Sequence, residues 1–390
     1  MAEQLKVVTQ SPQNAETPLA DVHGWVTPTR LFFVRNHFDV PEIDVAKWRL
    51  AVGGGVRRPL ELTYAELNEM PQRTLLATLE CAGNGRSFLA QKAPGVQWSA
   101  GAVAHAEWSG VPLREVLELA GIDDGAVEIV CEGADRGSEP DHPEPMHFAR
   151  GLPLAKALHR DTILALRMNG EPLTPSHGFP LRLLVPGWYG VASVKWLTRL
   201  EASCVPFRGY FQTVKYTIKR GRADGQETVP ISEMAVKSDI VRPFAGEALG
   251  CGKQRVFGLA WAGEEPVAKV ELSTDGGKTW RETELLGPWA PYSWMMWEYL
   301  WNVQEAGSYE LLSRATSVSG RLQPTQYDPL YSGYMIHFSR PIPVRVESRP
   351  SRDAAAGDID SLRYDMNAFA EANARRPLDV DLDFSLGAGI

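Results

Sequence analysis

The amino-acid sequence predicts an α+β domain followed by a β-sandwich, and three observations carry that prediction. The chain has 390 residues, too many for one ordinary core of about 100–150 residues. Up to about Tyr216 capped helices alternate with short apolar strands, whereas the following stretch offers strand patterns and turns without a long helix. A polar, glycine-containing run at 219–230 separates the two textures.

Each element has a local reason. Thr63 and Glu66 form a capping box with Leu62 and Leu67 as the staple, which predicts a short helix to about Met70, before Pro71. Pro112 in a first turn, Leu113, Val116, Leu117 and Ala120 on one face, and Gly121 as the stop predict a second. Residues 74–80 read as a strand ending in the turn Cys81-Ala82-Gly83-Asn84-Gly85-Arg86, and 127–131, 163–167 and 181–185 read as further strands. In the second half, 267–273, the turn Thr274-Asp275-Gly276-Gly277, and 278–284 form a hairpin signature. Strands at 256–261, 308–315 and 334–338 fit sandwich spacing. From Arg345 the strand pattern ends, and an Asp360/Ser361 cap precedes a helix that aligns Leu362, Met366, Phe369 and Asn373. The expected organisation is an extension at 1–30, a catalytic domain at 31–225, the sandwich at 229–345 and a tail at 346–390.

The formal net charge is −8, which excludes a broad cationic surface for nucleic acid or anionic lipid, so an anionic ligand requires a local basic pocket. No apolar run approaches the ~18 residues of a membrane span, and the polar N-terminus has no apolar signal core, so the expected compartment is cytoplasm or periplasm. The four cysteines, Cys81, Cys131, Cys204 and Cys251, form no C-x-x-C pair and make neither a disulfide framework nor a zinc knuckle.

Cys81 stands at the end of a predicted strand. Gly83 and Gly85 admit close backbone approach, and the nearby Arg86 favours a thiolate, a soft ligand for a transition metal. A plain glycine turn is the other reading, and Cys131 in an apolar strand reads as core. His37 closes Phe33-Val34-Arg35-Asn36-His37 and His177 opens His177-Gly178-Phe179-Pro180-Leu181-Arg182. Such donor-rich turns suit a phosphate or polar heterocycle, although each alone is equally a surface turn. His142, Glu144 and His147 mimic a metal cluster, but Pro143 and Pro145 deny them a shared helical face. No phosphate-binding loop, nucleophile elbow or zincin motif occurs, and Gly53-Gly54-Gly55 lacks the spaced third glycine of a dinucleotide fingerprint.

Taken in order, these segments resemble the sulfite oxidase family of molybdenum enzymes. The resemblance runs from Phe32-Phe33-Val34-Arg35-Asn36-His37 through Leu79-Glu80-Cys81-Ala82-Gly83-Asn84-Gly85-Arg86-Ser87 and Trp98-Ser99-Ala100-Gly101-Ala102. It continues through Met168-Asn169-Gly170 and the His177 segment to Val194-Lys195-Trp196-Leu197. It implies a sulfite-oxidase-like molybdopterin-binding domain, an immunoglobulin-like dimerisation domain, a homodimer and a molybdenum-molybdopterin cofactor. It further implies Cys81 as metal ligand and Arg35, Asn36, His37, Asp135, His177, Arg182, Ser193, Val194 and Lys195 as the cofactor cradle. Arg35, Arg86, Trp98 and Tyr216 become the oxyanion-site residues, and sulfite would be oxidised to sulfate by oxygen-atom transfer. Guanidinium groups suit a doubly charged oxyanion because their planar forks bind its oxygens bidentately.

Two positions depart from the family pattern. Gly85 stands where vertebrate members carry the first of two arginines, and the tryptophan-rich strand at 294–298 places Glu298 where those members lend an arginine. These departures keep open a sulfane-sulfur dehydrogenase or S-oxide reductase of the same family. A cofactor-less binding protein of the same fold is the alternative from another class, and intact Cys81, Arg86, His177 and Arg182 count against it. No haem-binding domain precedes Leu31, so the expectation is no haem and an external one-electron acceptor such as a soluble cytochrome.

Overall fold

A computed structural model describes residues 4–22, 24–222 and 225–350. Both predicted helices form. Tyr64–Glu69 carries the reciprocal capping box, with Glu66 N donating to Thr63 Oγ1 at 3.1 Å and Thr63 N donating to Glu66 Oε2 at 2.8 Å. Leu113–Ala120 buries its predicted face, Pro112 serves as the N-cap residue itself, and Gly121 ends the helix at φ +68°.

Two five-stranded sheets build the first domain. In one, Glu171–Pro172, Ile163–Met168, Val103–Pro112 and Arg73–Glu80 lie side by side, with Arg182–Leu184 also paired to Ile163–Met168. In the other the order is Leu60–Leu62, Leu50–Gly54, Leu197–Ser203, Glu128–Glu139 and His142–Pro153. The strand expected at 127–131 is much longer, because its polar second half pairs with His142–Pro153 to form a projecting arm.

Arg73–Glu80 lies at a sheet edge, and the sandwich covers that edge. Thr78 N donates to Tyr292 O at 2.9 Å, and Trp294 N donates to Thr78 Oγ1 at 2.8 Å. The strand leading to Cys81 is thereby buried from Leu75 to Glu80. A covered edge cannot pair with another chain.

The second domain is a β-sandwich in which Gly307–Ser317 and Ala248–Trp261 flank Ile342–Pro350. Val256, Val270, Trp297, Leu311 and Val344 are in its interior. Phe257, Leu259, Trp261, Trp294 and Met296 turn the other way and join the core of the first domain. The two domains therefore share an apolar interface.

Four expectations change. Either side of residues 223–224 the polar run falls in two paired antiparallel strands, Thr217–Arg222 and Gly225–Pro230, the first of which carries the buried Ile218. Residues 334–338 form no strand, because Ser332, Gly333 and Met335 at positive φ turn the chain back to the first domain, where Met335 N donates to Ala82 O at 2.8 Å. The strand Ile342–Pro350 continues past Arg345, with Ile342, Val344 and Val346 buried alternately. After Val267–Ser273 the return strand is only Arg281–Glu282, because the Asp275 carboxylate accepts from the backbone N–H groups of Lys278 and Thr279 and widens the turn. The helix expected near Leu362 lies outside the described residues. Among the described residues no helix is long and apolar enough to cross a membrane.

Candidate active site

Cys81 leaves the buried strand as its first unpaired residue. Its N donates to Ala102 O at 2.9 Å and its carbonyl accepts from Asn84 N at 2.8 Å, so the backbone on which the thiol is mounted is fixed. It lines a cavity that opens to solvent. The walls come from 32–37, from Asp135 and Phe148 on the projecting arm, from the turns at 176–182 and 190–196, and from Tyr216.

The charge of this cavity is lopsided. Arg35, Arg182 and Lys195 line it, against the single carboxylate of Asp135. Lys195 Nζ donates to Asn36 Oδ1 and to Ser176 O and lies 4.1 Å from the Trp196 ring centre. Burial, reinforced by Arg182, holds the Lys195 pKa well below its usual value. Burial brings Arg182 down to about 9 and lifts Asp135 to about 6. His177 falls to about 3 by burial and then by Arg182 and Lys195, and His37 is also held neutral by burial and by Arg35. The cations and imidazoles displaced in this way are short of counter-charge.

Tyr216 joins the two halves of the wall. Its oxygen shares a hydrogen bond with the neutral His37 Nε2 at 2.6 Å and accepts from Arg35 Nη2 at 3.2 Å. His37 stacks on Phe148 at 4.5 Å between centroids. Tyr216 and Trp196 both take positive φ, 54° and 51°, a conformation that bulky residues keep only where their surroundings hold it.

Arg182 Nε and Asp135 Oδ1 are buried without a partner among the described residues. Unpaired buried polar atoms are costly, so both call for a ligand with complementary groups. Gly178, at φ +106°, leaves open the space where a Cβ would sit 3.1 Å from Lys195 and 3.2 Å from Arg182, and a Cβ on Gly133 would strike Asp135 Oδ1 at 2.6 Å. A soft sulfur donor, an excess of cations, and unpaired donor and acceptor atoms together fit molybdopterin, with its phosphate and its polar heterocycle.

Ten of the residues expected in the site line the cavity: Arg35, Asn36, His37, Cys81, Asp135, His177, Arg182, Ser193, Lys195 and Tyr216. Three do not. Val194 is buried behind the wall, with its carbonyl accepting from Leu183 N at 2.8 Å. Trp98 is fully buried in the apolar cluster that includes Cys81 and Phe33. Arg86 turns away to donate to Gly333 O and Val96 O, each at 2.9 Å, and lies 5.2 Å from the Tyr334 ring centre.

The glycines of this turn also serve another end than close approach of a ligand. A Cβ on Gly83 would meet the Arg86 guanidinium at 2.5 Å, and one on Gly85 would meet Ile336 at 3.1 Å. Glu298 does not reach the cavity either, because Arg255 Nε holds it at 2.6 Å within the sandwich. His142 and His147 bond to the carbonyls of Glu144 and Gly133, and the described residues contain no group of three metal-ligating side chains of the His, Cys, Asp and Glu types.

Phe32, Phe33, Ser176, Gly190, Val191, Trp196 and Phe148 complete the lining. Ser176 and Trp196 adjoin motif residues, a signal that could have found them. Phe148 and Val191 carry none, since an apolar residue in a strand or turn reads as core.

Comparison with known proteins agrees with this chemistry. The family model described as an oxidoreductase molybdopterin binding domain matches residues 37–211, and that of a Mo-co oxidoreductase dimerisation domain matches 228–335. Sulfite oxidase of Gallus gallus is 35% identical over 351 residues, covering 84% of this chain and 74% of that protein. Mitochondrial sulfite oxidase of Homo sapiens is 33% identical over 84% of this chain, which spans 63% of the human protein. The solved sulfane dehydrogenase SoxCD from Paracoccus pantotrophus aligns with a TM-score of 0.75 and 29% identity over 87% of each chain. With its thiol-bearing strand end, its cationic cavity and its β-sandwich, the chain belongs to the sulfite oxidase family of molybdopterin-binding oxidoreductases.

Proposed function

We propose that this protein oxidises sulfite to sulfate, taking the added oxygen from water and releasing two protons and two electrons, the electrons passing singly to an external acceptor. The observation that supports this most is the cavity's excess of cations beside Cys81. When bound, the molybdenum cofactor supplies oxygen-atom transfer and transient storage of the electron pair. Cys81 would be its protein ligand, with Arg182, Lys195, Asn36, His177, Ser193 and Asp135 holding the pterin and its phosphate.

Arg35 and Tyr216 are assigned to the substrate oxyanion. Arg35 stays charged throughout, and the Tyr216 phenol, anchored by His37, keeps its oxygen directed at Arg35. Burial lifts the Tyr216 pKa to about 12, so the phenol stays neutral and adds no negative charge to repel sulfite. Pre-set donors of this kind hold the anion without reorganising during turnover.

Protein made in a molybdenum-replete, pterin-competent host should hold close to one molybdenum per chain and reduce ferricyanide or a soluble cytochrome on addition of sulfite. Cys81→Ser should fold but lose turnover, since a hydroxyl replaces a thiolate at the metal. Full activity in that variant would overturn the assignment. A homodimer through the sandwich belongs to the same proposal, and a monomeric mass by light scattering would count against it.

Oxidation of a sulfane sulfur is the second reading. It is favoured by the likeness to the sulfane dehydrogenase and by the absence of Arg86 from the cavity lining. Turnover of a thiosulfate-derived sulfane group in place of sulfite would establish it.

A further inference from the structure

The N-terminal hairpin, Lys6–Gln10 with Gln13–Glu16, precedes both segments that match the family models. Two buried polar side chains at its end serve the cavity and not the hairpin alone. Asn14 Oδ1 accepts from Asn36 N at 2.8 Å and from Arg35 Nη1 at 3.4 Å. Its amide nitrogen is held in turn by Thr9 Oγ1 at 2.8 Å and Pro12 O at 3.0 Å, so the carboxamide cannot rotate away. Asn36 Nδ2 reaches back to Gln13 O at 3.0 Å, and Ala15 and Val34 exchange two backbone bonds of 2.9 Å.

Glu16 grips a second segment. Its carboxylate accepts from both Ser99 N and Ser99 Oγ, with Lys6 Nζ 3.2 Å away. The Ser99 carbonyl accepts from Gly85 N at 2.7 Å, and the Trp98 carbonyl accepts from Ser87 N at 3.0 Å, so this segment is tied to the turn that follows Cys81. Close approach depends on Gly101, where a Cβ would meet Thr17 O at 2.3 Å.

We propose that Asn14 and Glu16 are positioning residues, a clasp that fixes Arg35 and Asn36 on the cavity wall and the Ser99 segment that is tied to the turn after Cys81, and so sets affinity for the substrate oxyanion. The inference rests on the oxyanion reading given above. A backbone N–H such as that of Asn36, buried and served by one side chain, loses its geometry when that side chain is removed. Arg35, whose Nη1 also donates to the Asn36 carbonyl, moves with it.

The test uses the molybdenum-loaded full chain. Asn14→Ala and Glu16→Ala should raise the sulfite KM, and the inhibition constant of sulfate, about 3–30-fold while kcat and molybdenum content stay near wild type. Amide exchange at Asn36 should quicken in the first variant and at Ser99 in the second. Glu16→Gln, which keeps an acceptor for Ser99 N, should restore both readings. Asn14→Asp keeps the acceptor and the fold should Asn14→Ala lose it, and its added charge beside Arg35 should raise the KM at least as much. Unchanged KM in folded, metal-replete alanine variants overturns the clasp alone, as does failure of Glu16→Gln to rescue. Wild type that neither oxidises sulfite nor binds sulfate overturns the oxyanion reading, and the clasp's role with it.

Discussion

Lys237 Nζ lies 2.9 Å from Glu80 Oε1, and this buried pair ties the sandwich to the residue immediately before the cavity cysteine. Glu80 also accepts from Asn84 Nδ2 at 3.0 Å and Trp261 Nε1 at 2.9 Å, while Asn84 Oδ1 takes Ala102 N at 3.0 Å. Burial opposes the charge on Lys237, but Glu80 and Asp239 outweigh it and raise its pKa. The position of Cys81 thus depends on a residue in the other domain.

Lys237→Met should leave the Glu80 carboxylate buried and uncompensated, at a cost of about 3–5 kcal/mol in stability. Adding Glu80→Gln should recover much of that loss. Denaturant unfolding measures both, and a single variant within about 1 kcal/mol of wild type would contradict the prediction.

Acid should weaken the fold through His105. Burial takes its pKa to about 3, it sits between Trp25 and Trp294, and its Nε2 has no partner among the described residues. The unfolded chain, with an ordinary histidine, binds the proton first. Stability is therefore complete above about pH 6.5 and declines toward pH 3 by up to ~1.4 kcal/mol per unit. His105→Gln should flatten that slope in denaturation midpoints taken across the range.

Arg86→Met should act on stability before substrate. The variant leaves the buried carbonyls of Gly333 and Val96 without their charged donor, a loss of about 2–4 kcal/mol. Loosening the 331–337 segment should also free Tyr334, whose ring lies 5.0 Å from that of Tyr216. A lowered melting temperature with a sulfite KM changed less than about threefold is the expected result.

Glu298→Gln should leave the sulfite KM unchanged, since its carboxylate is spent on Arg255. Weakening this largely buried pair should cost about 1–2 kcal/mol. An improved KM would place the carboxylate in the field of the cavity after all.

Much of the site is legible in short motifs because the demands are local. A strand followed by Cys81 and glycines, and basic turns at Arg35 and His177, report which atoms are available. Their neighbours are harder to read. Phe148 and Val191 look like core residues in any window of sequence, and the positive φ of Tyr216 and Trp196 is imposed by packing and not by residue type. Arg86 shows the converse: its place in the motif suggests a substrate contact, whereas its guanidinium here bonds the carbonyls of Val96 and Gly333 in the space left by Gly83.

By itself the sequence determined the two helices, the strand that ends at Cys81, the order of the domains and most of the cavity's charged residues. The elements and their order follow from periodicity, capping and turn chemistry within a few residues of one another, and the cavity's charged residues follow from the resemblance of the short motifs to the family. Tertiary structure alone decided that 331–337 turns back onto the Cys81 loop, that Lys237 neutralises Glu80, and that Asn14 and Glu16 close on the cavity from the N-terminus. Each of these joins separate parts of the chain through a donor and an acceptor of which at least one belongs to a buried residue. Burial is what makes such pairings obligatory, and it arises only once the sheets and the sandwich have packed.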